Sequence, residues 1–186
     1  MVASGPAGCG KTMLATHVGV QKLQEGVVDR LVITRPAVSV DESHGFLPGT
    51  LEEKMSPWIR PVYDVLELHF PRTKIEKMIK DNVIEISPLA YMRGRTFTRS
   101  WIICDEAQNT TVNQMLMVLT RIGDNSKLII TGDPKQHDRG FDTNGLVDFV
   151  QRLELSTPKP FIEHVQFDES DVERHPVIPV ILDMYK

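Results

Sequence analysis

The chain has 186 residues, of which 41% are hydrophobic and 25% charged, with a formal net charge of −4. This length suffices for one buried core and is too short for two ordinary domains, so residues 1–186 are predicted to form a single domain. The acidic balance excludes a generally basic nucleic-acid coat, although it leaves room for a local basic groove. No apolar run reaches the length of a membrane span, and the two cysteines are too few for a disulfide framework. We therefore expect a soluble, cytoplasmic protein without a membrane partner.

A phosphate-binding loop is predicted at the start of the chain. The sequence GPAGCGKT at residues 5–12 fits the P-loop pattern completely. Its glycines let backbone N–H groups turn around phosphate oxygens, and the helix after Gly10 adds its positive N-terminal end. Lys11 is predicted to reach the β- and γ-phosphates of ATP, and the Thr12 hydroxyl to ligate Mg²⁺. The predicted nucleotide-binding residues are Gly5, Pro6, Ala7, Gly8, Cys9, Gly10, Lys11, Thr12 and Met13.

Strands alternate with helices along the rest of the chain. The strand before the P-loop has only residues 1–4, which is short for a central strand, so we expect upstream residues of it to be missing. The later apolar runs with strand character are Leu31–Thr34, Val83–Ile86, Trp101–Cys104, Lys127–Thr131 and Phe161–Phe167. This alternation predicts an α/β fold of the P-loop NTPase type, with a mainly parallel sheet and helices on both faces. Right-handed crossovers then bring the functional loops to the carboxyl ends of the strands.

Helix starts are indicated by capping signals. Thr111 followed by Gln114 predicts a capping box that opens a helix over Thr111–Ile122. The apolar face of that helix is predicted to carry Met115, Val118, Leu119 and Ile122. Upstream, Thr50 with Glu53 gives a similar signal. Ser56–Pro57 predicts a further helix with Trp58, Ile59, Val62 and Leu66 on its buried side.

Two carboxylates end the predicted strand Trp101–Cys104. After a complete P-loop, such a strand end is expected to place Asp105 beside Mg²⁺ and Glu106 beside the attacking water. Glu106 is the predicted general base or water-orienting group. A solvated strand end would give the same pair of residues, but a water-activating glutamate favours hydrolysis over transfer to a small substrate.

A third motif ends the next strand, with the sequence LIITGDPKQ at residues 128–136. The amide of Gln136 is suited to sensing a γ-phosphate or positioning a water, and Asp133 to holding the loop or the second shell of the metal. A plain turn with a solvated glutamine remains the alternative.

Together these motifs resemble the PhoH family, whose ATPase domain is similar to the first motor domain of superfamily-one helicases. The resemblance extends from residue 2 to about residue 176. Its segments are the P-loop, 34–38 (TRPAV), 45–49 (GFLPG), 88–96 (PLAYMRGRT), 103–109 (ICDEAQN), 131–136 (TGDPKQ) and 171–176 (DVERHP). It implies an ATPase linked to phosphate starvation and to RNA metabolism.

The resemblance also implies partners. It implies a homo-oligomeric ring, of which a hexamer is one size, and Arg174 is then the best candidate for a catalytic arginine lent by a neighbouring subunit. Arg93 and Arg95 are the runners-up. A mixture of arginines and aromatics suits single-stranded RNA, since rings stack on bases and guanidiniums hold phosphates. The alternative is a solvated loop with Tyr91 packed beneath it. The residues concerned are Arg35, Tyr91, Arg93, Arg95, Phe97 and Arg99.

Two rival functions stay open. A P-loop kinase acting on a small molecule needs a substrate pocket and a basic lid, for which Gly94–Arg95 is a weak candidate, and it leaves Glu106 and Gln136 without a purpose. A non-catalytic module that uses nucleotide as a switch or as a structural ligand is the second rival.

Overall fold

Six parallel strands form one sheet in the part of the chain that the computed structural model describes, namely residues 1–36, 60–136, 144–156, 160–173, 177 and 184. The strands are β1 (Val2–Ser4), β2 (Arg30–Arg35), β3 (Ile84–Pro88), β4 (Ser100–Cys104), β5 (Lys127–Gly132) and β6 (His164–Gln166). Their order across the sheet is β3-β2-β4-β5-β1-β6, and every neighbouring pair is parallel. All carboxyl ends therefore meet at one edge, with β5 between the P-loop strand β1 and the carboxylate-bearing strand β4.

Helices cover both faces of this sheet. They are α1 (Lys11–Gln24), α2 (residues 60–67), α3 (Arg72–Lys80), α4 (Val112–Leu119) and α5 (Gly145–Leu155). Alternate residues of the central strands enter two separate cores, as the period-two geometry of a strand requires. One core joins α1, α2 and α3 to Leu31, Ile33, Ile84, Ile103 and Ile129. The other joins α4 and α5 to Val32, Ile102, Cys104, Leu128 and Ile130. The predicted α/β class with a parallel sheet is confirmed.

The predicted strands are all present, with small changes of bounds. The largest correction concerns the last one, because only His164–Gln166 of the predicted Phe161–Phe167 pairs with the sheet. Phe161 is 93% exposed, so its apolar character was the wrong reason for placing it in a strand. The three residues of β1 are buried, and each pairs with β5 on one side and β6 on the other.

The capping box of Thr111 and Gln114 is confirmed. The Thr111 side chain accepts from the Gln114 N–H at 3.2 Å, and the Gln114 side chain accepts from the Thr111 N–H at 2.9 Å. The helix ends at Leu119, however, so extending it to Ile122 was wrong, and Ile122 is 44% exposed.

Residues 60–67 are helical and bury Val62 and Leu66 as predicted. The predicted start at Ser56–Pro57 and the signal at Thr50 and Glu53 lie outside the described residues. No helix among the described residues is long and apolar enough to cross a membrane.

Candidate functional site

The loop between β1 and α1 depends on glycine at two positions, one for space and one for backbone conformation. A Cβ on Gly5, whose φ is 151°, would lie 2.6 Å from the Cβ of Phe167. Gly10 is the N-cap of α1 in the left-handed conformation, with φ of 75°. Since side chains disfavour this conformation, glycine lets the chain turn directly into the helix. The N-terminus of α1 therefore faces the inside of the loop, where its free N–H groups and positive dipole favour an anion.

Lys11 lies across this loop. Its Nζ donates to the carbonyl oxygens of Gly5 at 2.8 Å and Pro6 at 2.7 Å. Cys9 is buried, and its thiol also donates to the Pro6 carbonyl, at 3.0 Å. The ammonium is thus held at the centre of the loop, where it adds a full positive charge to the partial charges of the helix end. This is the chemistry that a chain of phosphates requires.

Asp105 is held by hydroxyls from two other elements. Its Oδ1 accepts from the Thr12 hydroxyl at 2.6 Å and from the Thr131 hydroxyl of β5 at 2.7 Å. The backbone N–H of Asp105 donates to the Thr34 carbonyl at 2.9 Å, which fixes the end of β4 to β2. Thr12 and Asp105, predicted as metal ligands from positions far apart in the chain, are therefore in direct contact. Hydroxyl and carboxylate oxygens together form a donor set that hard divalent cations such as Mg²⁺ prefer, so these residues fit that ion.

Glu106 has a left-handed backbone, with φ of 52°. A residue with a side chain in this conformation costs about 1–3 kcal/mol, and such strain clusters at functional sites. Its two carboxylate oxygens have different partners. Oε2 accepts from Nε2 of Gln108 at 2.5 Å, and Oε1 lies 3.3 Å from Nη2 of Arg35. The carboxylate is thus held between a buried amide and a partly exposed guanidinium.

Gln108 connects Glu106 to the end of β5. It is 3% exposed, and its Oε1 accepts from the backbone N–H of Asp133 at 3.1 Å. A Cβ on Gly132 would lie 2.6 Å from that same Oε1, so a side chain larger than glycine at 132 would displace the bridge. Asp133 is itself buried and its Oδ1 accepts from the N–H of Lys135 at 2.9 Å. The motif ICDEAQN at residues 103–109 contains Gln108, but the sequence did not predict this bridging role.

A cavity of about 300 Å³ lies at this edge of the sheet, and its volume is at the lower end of the range for ligand pockets. Its lining is drawn from the P-loop, from the ends of β4 and β5, and from α2. The lining residues are Ala7, Gly8, Gly10, Lys11, Thr12, Met13, Pro61, Asp105, Glu106, Gly132, Asp133 and Gln136. Gln136 is exposed at the border of the cavity, in a turn in which its N–H donates to the Asp133 carbonyl at 3.1 Å.

The predicted group of arginines and aromatics does not form one free surface. Phe97 is 3% exposed, and Arg95 lies over its ring at 4.5 Å while forming two hydrogen bonds with Glu85. Arg99 is similarly paired with Asp29 at 2.7 and 2.9 Å. Among the described members of the group, Tyr91 and Arg93 are exposed and Arg35 is half-buried. The solvated-loop alternative therefore describes Arg95 and Arg99 better, but packing Tyr91 beneath the loop was wrong, because the buried ring is Phe97 and Tyr91 is 54% exposed. Arg174 lies outside the described residues.

Comparison with known proteins agrees with the geometry. A PhoH-like protein of Bacillus subtilis (strain 168) is 45% identical over 183 residues, which are 97% of this chain and 56% of that protein. A PhoH-like protein of Mycobacterium tuberculosis (strain H37Rv) is 47% identical over 182 residues, 97% of this chain and 51% of that one. Protein PhoH of Escherichia coli (strain K12) is 41% identical over 187 residues, 98% of this chain and 52% of that one. The chain thus spans about half the length of these curated relatives. The family model described as PhoH-like protein matches residues 1–186, and the chain belongs to the PhoH family, which is of the P-loop NTPase type.

Proposed function

We propose that this chain binds ATP with Mg²⁺ and hydrolyses the bond to the γ-phosphate. One observation carries the proposal: Glu106 lines the same cavity as Lys11, Thr12 and Asp105. A phosphate-binding loop, a hydroxyl–carboxylate pair and a second carboxylate together supply what hydrolysis needs, which is positioning, charge neutralisation and a proton acceptor.

The loop is the binding half of this proposal. Lys11 neutralises charge on the β- and γ-phosphates, while the N–H groups at the start of α1 donate to phosphate oxygens. Thr12 and Asp105 would hold Mg²⁺, which supplies Lewis-acid stabilisation of the charge on the phosphate oxygens. The second hydroxyl on Asp105, from Thr131, fixes the carboxylate in one orientation.

The reaction half rests on Glu106. A water oxygen forms a bond to the γ-phosphorus while the bond from that phosphorus to the bridging oxygen of ADP breaks. The water gives up one proton to the Glu106 carboxylate, and the products are ADP and inorganic phosphate. General-base assistance of this kind contributes about 100- to 10,000-fold in rate.

Two alternatives give different results in one assay. A small-molecule kinase forms ADP only when an acceptor is present, and it transfers the γ-phosphate to that acceptor instead of releasing inorganic phosphate. A nucleotide-switched module releases no more than one phosphate per chain. The proposal predicts continuous phosphate release from Mg-ATP with no added acceptor and with many turnovers per chain. Phosphate release that stops at one equivalent, or ADP formation that requires an added acceptor, contradicts it.

We also propose single-stranded RNA as a partner, bound beside the carboxyl ends of β2 and β3. Arg35 pairs in register with Pro88 at the end of β3. The chain then continues through Tyr91, which is 54% exposed, to the exposed Arg93. An exposed ring at the same edge of the sheet as two arginines suits stacking on bases and contact with phosphates. Fluorescence anisotropy with a labelled uridine oligomer tests this: Tyr91→Ala should weaken binding, and Leu155→Ala, an exposed apolar residue on α5, should not.

A ring-forming homo-oligomer in which Arg174 of one subunit serves the neighbouring site is the third part of the proposal. Its support is the chemistry of phosphoryl transfer, because an arginine supplied in trans stabilises charge that Lys11 and Mg²⁺ leave unneutralised. Chains carrying Arg174→Ala and Lys11→Ala should each be nearly inactive, and their mixture should recover activity. A monomer with full activity, or an Arg174→Ala chain that hydrolyses ATP normally, contradicts it.

A further inference from the structure

Arg35 contacts Glu106 from outside the nucleotide cavity. Its Nη2 lies 3.3 Å from Oε1 of Glu106, and the two side chains are 27% and 36% exposed. The described lining of the cavity includes Glu106 but not Arg35. Glu106 therefore stands between the cavity on one side and a guanidinium on the other. Any ligand that moves Arg35 acts on the proposed catalytic carboxylate without entering the nucleotide site.

The two contacts on the Glu106 carboxylate differ in strength. Gln108 donates to Oε2 at 2.5 Å from a buried position and is anchored at its other end by Asp133. Arg35 approaches Oε1 only to 3.3 Å, beyond the 2.7–2.9 Å that is typical of a charge-assisted hydrogen bond. Partly exposed ion pairs of this kind contribute about 1 kcal/mol or less. Oε2 is thus fixed, and Oε1 is the oxygen whose partner is easily removed.

Arg35 also differs from two other arginines of this domain that pair with carboxylates. Arg95 and Arg99 each place two nitrogens on a carboxylate, within 2.9 Å. Within the described part of the chain, the Arg35 side chain makes one long contact, which leaves most of its five N–H donors for another acceptor. Phosphate takes a guanidinium through two parallel hydrogen bonds, so a phosphodiester beside Arg35 competes well with a single 3.3 Å contact.

We propose that Glu106 and an anionic single strand compete for Arg35. When a phosphodiester binds Arg35, the guanidinium leaves Oε1, and that oxygen becomes free to orient the attacking water. This regulation rests on the hydrolysis and the RNA surface proposed above. The strand would thus activate hydrolysis by releasing Glu106 from Arg35. No part of the strand has to reach the γ-phosphate.

The competition can be measured without any ATP turnover. The affinity of a labelled uridine oligomer is measured at low salt, without nucleotide, for the parent chain, Glu106→Gln, Arg35→Ala and the double variant. Glu106→Gln frees Arg35 and should tighten binding about two- to fivefold, up to the equivalent of about 1 kcal/mol. In the Arg35→Ala background the same substitution should change affinity by no more than the experimental error. Arg72→Ala, which breaks an exposed ion pair with Glu76 on α3, is the matched control and should leave this coupling intact.

Three results overturn the competition. The first is that Glu106→Gln leaves the affinity for the oligomer unchanged. The second is that it changes the affinity equally with and without Arg35, which would reflect a general loss of negative charge. The third is that the parent chain does not bind the oligomer. Arg35→Gln also removes the charge but keeps a polar side chain, and it replaces Arg35→Ala if the latter does not fold.

A second assay separates this proposal from the hydrolysis on which it rests. The oligomer should stimulate ATP turnover by the parent chain and stimulate it less in Arg35→Ala, whose unstimulated kcat should already be about two- to fivefold higher. The KM for ATP should not change, because Arg35 is outside the cavity lining. Coupling in the binding cycle without any ATP turnover would refute the hydrolysis and leave the competition standing. Turnover with equal stimulation of both chains would refute the competition alone.

Discussion

The carboxyl edge and the amino edge of the sheet use polar side chains in different ways. At the amino edge, just before β2, β4 and β5, Arg99 forms a solvent-exposed ion pair with Asp29, and the Ser126 hydroxyl joins two backbone segments. At the carboxyl edge, side chains beside a cavity contact one another, as Asp105 does with Thr12 and Thr131. The contacts of the amino edge hold strands and turns together, and those of the carboxyl edge orient reactive groups.

Because of this difference, substitutions at the two edges are expected to have different effects on activity and on stability. Residues of the carboxyl edge line a cavity and place the charged side chains Lys11, Asp105 and Glu106 around it. Charged groups brought together in a cavity lose part of their hydration, and such arrangements cluster at functional sites. Substitutions at this edge should reduce activity more than stability, and substitutions at the amino edge should do the reverse.

Lys11→Ala comes first among the variants that test this difference, because it should weaken nucleotide binding itself. The substitution removes the only full positive charge within the described loop, residues 5–12, so ATP affinity should fall about 10- to 100-fold, as for loss of hydrogen bonds to a charged group. Its melting temperature should stay close to that of the parent. Isothermal titration with Mg-ATP checks the affinity, and Lys22→Ala on the exposed side of α1 is the control. Unchanged affinity would rule out the binding role of the loop lysine.

Gln108 substitutions should come next. Gln108→Ala frees the Glu106 carboxylate from its buried partner and should lower kcat about 10- to 100-fold, the effect of misplacing a reacting group. Gln108→Glu keeps the acceptor for the Asp133 N–H but loses the donor to Glu106, so it should lose activity as well. Steady-state kinetics should place the loss in kcat and leave KM for ATP nearly unchanged. If Gln108→Glu is fully active, the amide does not position Glu106.

Ser126→Ala tests the amino edge. The buried Ser126 hydroxyl accepts from the Ser100 N–H at 2.9 Å and donates to the Phe97 carbonyl at 2.8 Å. Its removal leaves a buried N–H without that partner and should cost about 1–3 kcal/mol in the free energy of unfolding. Urea denaturation measures the loss, while kcat per folded molecule should stay at the parental value. A fall in kcat with no change in stability would contradict the proposed difference between the two edges.

The smallest expected effect is a pH dependence at Glu85. The pKa of this carboxyl lies below its ordinary 4.5, because Arg95 donates hydrogen bonds to it, with smaller contributions from Ser87 and Arg30. A carboxyl with a lowered folded pKa stabilises the fold above pH 4.5, and this stabilisation is lost as the pH falls through the folded pKa. Glu85→Gln should therefore be less stable than the parent at neutral pH, by about 1 kcal/mol or less for a partly exposed pair. Unfolding curves from pH 7 to pH 3 should show this gap closing; a constant gap would assign the loss to packing.

Much of the fold was accessible from sequence because its signals are local. Apolar runs such as Leu31–Thr34 and Lys127–Thr131 mark buried strands, and the Thr111 capping box marks a helix start within four residues. Periodicity does not give the order of strands, so the position of β5 between β4 and β1 was not predictable. Ile122 was misplaced because the apolar pattern continues after the backbone of α4 has ended.

The site was predictable where a motif requires certain residue types at fixed spacing. Lys11, Thr12, Asp105 and Glu106 were assigned from such motifs, and the fold brings them to one cavity. The contacts that hold these residues were missed. Gln108 with Asp133 and Arg35 with Glu106 join the ends of different strands, and only the strand order makes them neighbours.

One pair of measurements on the parent chain and Glu106→Gln tests the central claim most directly. Replacing the Glu106 carboxylate with an amide keeps the size of the side chain and its place beside the loop, and it removes the proton acceptor. Mg-ATP affinity and the steady rate of phosphate release, without an added acceptor, are measured on the same preparations, with Glu154→Gln on the exposed face of α5 as the control. We predict equal affinities and a rate for Glu106→Gln that is about 100- to 10,000-fold lower. Equal rates for the two chains would contradict the account.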